Sequence, residues 1–285
     1  THRLDGIEED RSSLQRTLQL CSRIIQPPAR ELRHQITTPS EQSTMATMTA
    51  SDKSIGELNR EWFDSMAGSA YKADWVRDLL QQISSFLRDN VEWIGQPNGA
   101  GLKVLDYACG GGIVSMALAP FASVLRGIDI SGGMVEQYND TARRLGLSPE
   151  QMHGVRGDLL NDAEAVDGPE LTGFHVAVMS MALHHVADPA GMVKKLADRL
   201  ATGGSLVIVD WVEHGRTPPG MPVHPASHTI TRHGFREDEM RTMFAEAGLS
   251  DYGYLLHPQR SRMPSGGEQQ LFFARGRVPV QTGQL

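Results

Sequence analysis

Lys103-Val104-Leu105-Asp106-Tyr107-Ala108-Cys109-Gly110-Gly111-Gly112 decides how the rest of the chain is read. An apolar run ends in a carboxylate, a glycine-rich turn follows, and Ile113 to Pro120 reads as the start of a helix. Strand, tight loop and helix in that order make half of a nucleotide-binding crevice. Glycine belongs where the backbone turns sharply and a ligand approaches with no Cβ in the way. A dinucleotide fits poorly. Read as G-x-G-x-x-G, the loop gives Gly110, Gly112 and then Ser115, so the third small position is neither Gly nor Ala. Asp106 precedes the loop, where its charge repels a pyrophosphate and attracts an ammonium.

A cationic amino acid joined to a nucleoside meets both conditions, and S-adenosylmethionine is such a ligand. Val104 to Gly112 resembles motif I of the class I S-adenosylmethionine-dependent methyltransferases, usually written LDxGCGxG, with Ala108 in place of the first glycine. Three further stretches match in order. Gly127-Ile128-Asp129-Ile130-Ser131, followed by Met134, resembles the ribose-binding segment. Gly157-Asp158-Leu159 resembles the adenine-binding turn, and Met179 to Pro189 the stretch after the fourth strand. The resemblance covers Leu102 to Glu213, with weaker agreement to about Arg277. It implies an α/β, Rossmann-like fold: a seven-stranded, mostly parallel sheet with helices on both faces and an antiparallel hairpin at one edge. The chain departs from the family at His175, where an Asp usually follows the Phe and is mostly structural.

Working outward, the alternation of strand and helix signals from Leu102 independently predicts a mostly parallel α/β sandwich. Val124 to Ile130, Phe174 to Met181 and Ser205 to Val212 read as buried strands. Met134 to Leu145 reads as a helix stopped by Gly146, a second helix starts at Pro189 behind an Asp188 cap, and Glu237 to Ala247 is a third, closed by Gly248. Tyr252 to His257 and Gln270 to Ala274 read as the closing hairpin. Ahead of the glycine loop, Ser54 to Asn90 reads as two amphipathic helices, with Trp62, Phe63 and Met66 on one face and Val76, Leu79, Leu80, Ile83 and Leu87 on the other. Helices so placed commonly cap the cofactor in similar enzymes. Tyr71 or Trp62 then lies over a sulfonium, or both are core aromatics, the simpler reading for Trp62.

The domains follow: a disordered leader over 1–49, a helical cap and linker over 50–101, a methyltransferase core over 102–277 with a lid insertion at 213–234, and a tail from 278. Arg11 to Arg33 is Arg-rich and amphipathic, as in a mitochondrial transit peptide. The acidic Glu8, Glu9 and Asp10 favour the plainer reading of a disordered leader, or of sequence upstream of a start at Met45 or Met48. The chain opens on Thr1, which reads as a fragment or a processed product. A formal net charge of −7 argues against general affinity for nucleic acid. Two cysteines, Cys21 and Cys109, make no disulfide framework and point to a reducing, cytoplasmic compartment. Apolar runs fall short of the ~20 residues that span a bilayer.

By the resemblance, Asp106, Gly110, Gly112 and the Ser180 carbonyl serve the methionine end of S-adenosylmethionine, Asp129 the ribose, and Asp158, Ile130, Met134 and Leu159 the adenine. Asp129 as a helix cap and Asp158 as a surface turn are the alternatives. Cys109 reads as a packing residue rather than a nucleophile. His184 and His185 follow the fourth strand and Asp210 ends the fifth, at the carboxyl edge where α/β sites form. A hydroxyl or protonated amine acceptor needs a base, and these groups are candidates. Neighbours in an extended segment point opposite ways, so one histidine faces the pocket; alternatively the pair is a packing feature. His224 and His228 have a spacing seen in metal sites but no supporting pattern, so no metal is expected, and Glu213 to Gly234 reads as a proline-stiffened lid. The predicted activity is methyl transfer from S-adenosylmethionine to a small organic acceptor at O, or at N, as in natural-product O-methyltransferases. The rivals are C-methylation of a prenylated quinone ring, which the transit-peptide reading favours, and a non-catalytic S-adenosylmethionine-binding regulator. The acceptor and the oligomeric state are not legible.

Overall fold

Strands form where apolar residues run without interruption and helices where they recur on one side. The computed structural model describes residues 53–95, 101–161, 163, 166–215, 225–263 and 267–280. The leader and its transit-peptide and start-site readings lie outside the described residues, as do most of the 96–101 linker and 216–224 of the lid. Contacts separate Thr1–Ser54 from Ile55–Leu285, and the second unit carries the fold.

It begins with α1 (Ile55–Met66), α2 (Asp74–Asp89) and the single turn α3 (Val91–Ile94). The α/β core then runs β1 (Leu102–Tyr107), α4 (Ile113–Leu118), β2 (Ala122–Asp129), α5 (Gly132–Arg144), β3 (Met152–Arg156), β4 (Phe174–Ser180), α6 (Pro189–Ala197) and β5 (Leu200–Trp211). It closes with α7 (Glu237–Glu246), β6 (Ser250–Leu256), the short β7 (Ser261–Arg262) and β8 (Glu268–Gln269), and β9 (Leu271–Arg277). The seven-stranded sheet has the order β3-β2-β1-β4-β5-β9-β6. β1 to β5 are parallel, and β9 runs antiparallel to both β5 and β6.

The expected closing hairpin is therefore present, but its second strand is the inner one. β9 slots between β5 and β6, which its composition explains: Leu271, Phe272, Phe273 and Ala274 are fully buried, whereas β6 is largely half-exposed. A separate ribbon, β7 with β8, interrupts the connection. The anticipated Asp188 cap forms, its Oδ1 accepting the Gly191 N–H at 2.9 Å, while α5 is capped by Ser131, whose Oγ accepts the Met134 N–H at 3.1 Å. His175 takes up the structural position it holds in the sequence, its Nδ1 accepting the Lys103 N–H at 2.9 Å across the β1–β4 edge.

Tyr138 of α5 fixes the glycine loop over the sheet. Its ring is fully buried. A Cβ built on Gly127 or on Gly154 would stand 2.8 Å from that ring, and one on Gly112 3.2 Å from it. Three glycines from three elements thus make the slot for one aromatic ring. The Tyr138 hydroxyl lies 2.7 Å from Ser115 Oγ, which donates to Asp106 Oδ2 at 2.8 Å. That chain ties α5 to the strand and the helix on either side of the loop.

Candidate active site

The loop after β1 turns through Ala108, Gly110 and Gly112, with φ of 55, 50 and 87°. The residue that replaces the family's first glycine is thus held in the left-handed region, a strain of roughly 1–2 kcal/mol for a residue with a Cβ. The Gly112 carbonyl accepts the Met116 N–H at 2.8 Å and opens α4.

Asp106 departs from expectation. Its Oδ2 accepts both the Ser115 N–H, at 3.1 Å, and the Ser115 hydroxyl, and the residue is 2 % exposed. The carboxylate is turned into the protein to satisfy an N–H in the first turn of α4, which has no partner within the helix. Burial pushes its pKa up to about 7, against the pull of the two Ser115 hydrogen bonds.

Asp129 ends β2 with its carboxylate across the loop, Oδ2 accepting the Gly110 N–H and Oδ1 the Ser131 N–H, both at 2.9 Å. The cap of α5 is Ser131, so Asp129 is not consumed as a helix cap. Burial raises its pKa to about 6, the two N–H bonds oppose this, and the charge of Asp64 adds to the rise. Ile130 is half-buried beside it, and Met134 is buried. Past β3, Asp158 Oδ1 accepts the Leu160 N–H at 3.0 Å and the Tyr107 hydroxyl at 3.3 Å. That hydroxyl accepts the buried Leu159's N–H at 3.2 Å. Ser180 ends β4 opposite Val209, one residue beyond the last pairing with β1. Met181 then turns the chain with a φ of 55°.

Cys109 is buried, and burial pushes its thiol well up, away from the thiolate a nucleophile needs. Among the described residues no group of three or more His, Cys, Asp and Glu side chains is placed to hold a metal. His224 lies outside the described residues. His228 stands edge-on to Trp62 with ring centroids 5.3 Å apart.

Three residues ahead of the core complete the site. The Tyr71 hydroxyl accepts the Gly111 N–H at 2.7 Å, and its ring lies against Gly110 and Gly111 so closely that a Cβ on either would collide with it. Tyr71, not Trp62, is therefore the aromatic on the loop. Asp64 Oδ1 accepts the Ser131 hydroxyl at 2.6 Å and the Gly133 N–H at 3.0 Å. Asn59 Nδ2 donates to the carbonyls of Ile55 at 2.8 Å and of His185 and Thr229 at 3.3 Å. The sequence signals neither Asp64 nor Asn59, because a polar residue on an amphipathic helix looks the same whether it faces water or a backbone N–H.

At the ends of β4 and β5, His184 Nδ1 lies 2.7 Å from Asp210 Oδ1. Asp210 Oδ2 accepts the His184 backbone N–H at 3.1 Å, and Oδ1 also accepts the Trp211 N–H at 2.7 Å. Asp210 is fully buried. A carboxylate on Nδ1 fixes the tautomer and leaves Nε2 as the nitrogen that takes a proton. The expectation that one histidine faces the pocket rested on an extended segment, and the segment is not extended. Leu183–His185 is a 3-10 turn rather than an extended segment. Its tighter winding sets the two imidazoles side by side, centroids 4.2 Å apart. Phe63 of α1 stands edge-on to His185 at 5.5 Å.

The lid segment leaves and returns at one place. Glu213 N–H donates to the Phe235 carbonyl and His214 N–H to that of His233, both at 3.0 Å.

Comparison with known proteins agrees with this geometry. Residues 79–252 match a family model described as a methyltransferase domain. An uncharacterized methyltransferase of Schizosaccharomyces pombe is 30% identical over 213 residues, 73% of each chain. A ubiquinone biosynthesis O-methyltransferase of Ralstonia nicotianae is 32% identical over 156 residues, 53% of this chain and 56% of the relative, so the chain spans little more than half of that protein. Magnesium protoporphyrin IX methyltransferase from Synechocystis, solved with bound S-adenosylmethionine, superposes with a TM-score of 0.55 over 80% of this chain and 98% of its own, at 18% identity, a likeness of fold alone. The chain belongs to the methyltransferase domain family, the class I S-adenosylmethionine-dependent methyltransferases.

Proposed function

We propose that the chain transfers a methyl group from S-adenosylmethionine to a hydroxyl of a small organic acceptor, with His184 as the base and Asp210 as its orienting partner. The observation that carries the reading is the 2.7 Å contact between His184 Nδ1 and Asp210 Oδ1 at the carboxyl edge of the sheet. A neutral hydroxyl must lose its proton as it is methylated, and such a pair can take it. The likeness to a ubiquinone biosynthesis O-methyltransferase favours oxygen over carbon as the acceptor atom.

The residues fit the cofactor. Gly110 and Gly112 offer a loop edge without side chains, and both have positive φ. Asp129 presents a carboxylate whose two oxygens each carry one backbone N–H and retain a second lone pair for a ribose hydroxyl. Asp158 and the apolar Ile130, Met134 and Leu159 stand at the adenine end, and the Ser180 carbonyl at the methionine end. When bound, S-adenosylmethionine supplies an electrophilic methyl on a sulfonium. His184 Nε2 takes the proton from the acceptor hydroxyl, Asp210 stabilises the imidazolium that results, and α1 with the 225–229 turn excludes water from that side.

The test is incubation of the full chain with methyl-labelled S-adenosylmethionine and host extract, separated into metabolite, lipid, RNA and protein fractions. Label in small hydroxylated metabolites, lost in His184→Ala, supports the reading. Label on a quinone-ring carbon, in RNA or in protein overturns it. Cofactor binding with no label in any fraction turns the reading toward a non-catalytic regulator.

A further inference from the structure

We infer that Asn59 and Thr229 are positioning residues that fix the tautomer of His185, the imidazole packed beside His184. The argument starts from where protons go. His185 Nδ1 lies 2.9 Å from the Thr229 carbonyl and 3.1 Å from Thr229 Oγ1. The Thr229 hydroxyl donates its one proton to the Ala226 carbonyl at 2.6 Å. Both Thr229 oxygens are then acceptors toward the ring, and Nδ1 must carry the hydrogen. Nε2 is left as the lone-pair nitrogen, as it is in His184, where Asp210 does the same work.

Asn59 holds this arrangement from outside the core. Its Nδ2 donates to the His185 and Thr229 carbonyls at 3.3 Å and to Ile55 O at 2.8 Å. Three carbonyl partners settle which end of the amide is nitrogen, because an oxygen there would face oxygens. Thr229 is fully buried and Asn59 only 6% exposed, so neither bond is traded readily for water. Among the described residues Asn59 Oδ1 is buried without a hydrogen-bond partner, a cost that a structure carries for a reason. The clamp accounts for it: the amide is oriented by what its nitrogen must hold. With Phe63 edge-on to His185, α1 thus sets both the place and the protonation of the ring. The tautomer assignment stands on these contacts alone and not on the proposed function.

The experiment therefore needs no acceptor. Long-range ¹H–¹⁵N spectra of histidine-labelled full chain at neutral pH report which ring nitrogen is protonated, with His184→Gln and His185→Gln giving the assignments. We expect His185 with Nδ1 protonated and the other tautomer below about one-tenth. In Asn59→Asp and Asn59→Ala the Nε2–H form of His185 rises several-fold while His184 keeps its tautomer; Thr229→Ala, which loses the hydroxyl and keeps the nearer carbonyl, changes the His185 spectrum less than either. An Nε2–H His185 in the unmodified chain overturns the inference. So do unchanged His185 signals in the Asn59 variants, or His184 and His185 shifting together, which marks a merely structural role. Failure of methyl transfer with the spectra as expected would refute the proposed function and leave the clamp standing.

Discussion

Raising the pH from about 5 to about 7 is expected to strengthen cofactor binding while weakening the cofactor-free fold. Both effects come from buried carboxyls at the glycine loop. Burial lifts Asp129 from 3.8 to about 6 and Asp106 from 3.8 to about 7. Between the unfolded and folded values the native state holds protons that the unfolded chain has released, so stability falls as pH rises. Their contribution is complete below about pH 4 and lost once the pH has passed the folded values. Two to three pKa units at ~1.4 kcal/mol each make the change on the order of 3 kcal/mol per group, an upper figure because the two charges interact. Binding runs the other way, since ribose hydroxyls donate to the Asp129 carboxylate and not to its acid. At about pH 5, one unit below its folded value, about one-tenth of Asp129 is ionised, so affinity is roughly tenfold weaker than its plateau above pH 7. Titration calorimetry at pH steps up to about 7.2 stays below the range where an α-amino group of the ligand deprotonates. Urea unfolding of the cofactor-free chain supplies the second slope. Affinity that is flat or falls across this range, or a pH dependence that survives in Asp129→Asn, refutes the argument.

Other expectations follow from single contacts. Asp210→Asn puts an amide N–H against either His184 N–H or Trp211 N–H, or reverses the His184 tautomer; labelled-methyl transfer should fall by about 10²–10⁴ with cofactor affinity unchanged by calorimetry. Tyr138→Phe removes only the bond to Ser115 and should cost about 1 kcal/mol in urea unfolding. Tyr138→Ala empties the three-glycine slot and should cost about 3–5 kcal/mol; equal losses for the two would mean that the slot is not packed as described. Ala108→Gly relieves roughly 1–2 kcal/mol of left-handed strain against ~0.5–1 kcal/mol of chain entropy, so a net gain of up to about 1 kcal/mol is expected, read as a raised urea midpoint.

The fold was legible wherever its cause is local. A glycine loop between an apolar run and a helix, an Asp before Pro189 and a Ser ahead of Met134 each act on their own neighbours, and all stand where the sequence puts them. β9 lying inside β6 was not legible, because a sheet's edge is decided by which strand loses water on both faces, and that depends on Leu200–Trp211 as much as on the strand itself. The slot for Tyr138 is similar: Gly112, Gly127 and Gly154 lie far apart in sequence, and nothing joins them until α5 brings one ring against all three. The inward turn of Asp106 is similar: its charge points to a cationic ligand, but that its carboxylate takes up the Ser115 N–H and hydroxyl depends on how α4 starts.

The same reasoning locates where this chain is individual. The family match begins at residue 79, inside α2. Asn59, Asp64 and Tyr71 all precede it, yet each bonds a different loop of the site: His185, Ser131 with Gly133, and Gly111. Their partners are largely backbone groups left over by turns and a helix start, which any class I core exposes. Under the proposed function, then, the motifs supply the cofactor residues, while Asn59 and Phe63, which stand at His185, belong to no motif. Two chains can share the motifs and differ in acceptor because a backbone N–H or carbonyl accepts many different caps. On that argument, exchanging residues 55–63, which hold Asn59 and Phe63 beside His185 but neither Asp64 nor Tyr71, between this chain and a relative is expected to alter acceptor preference, measured by competing labelled acceptors, while leaving cofactor affinity within a few-fold. A swap that moves cofactor affinity and leaves preference alone would place specificity in the core instead.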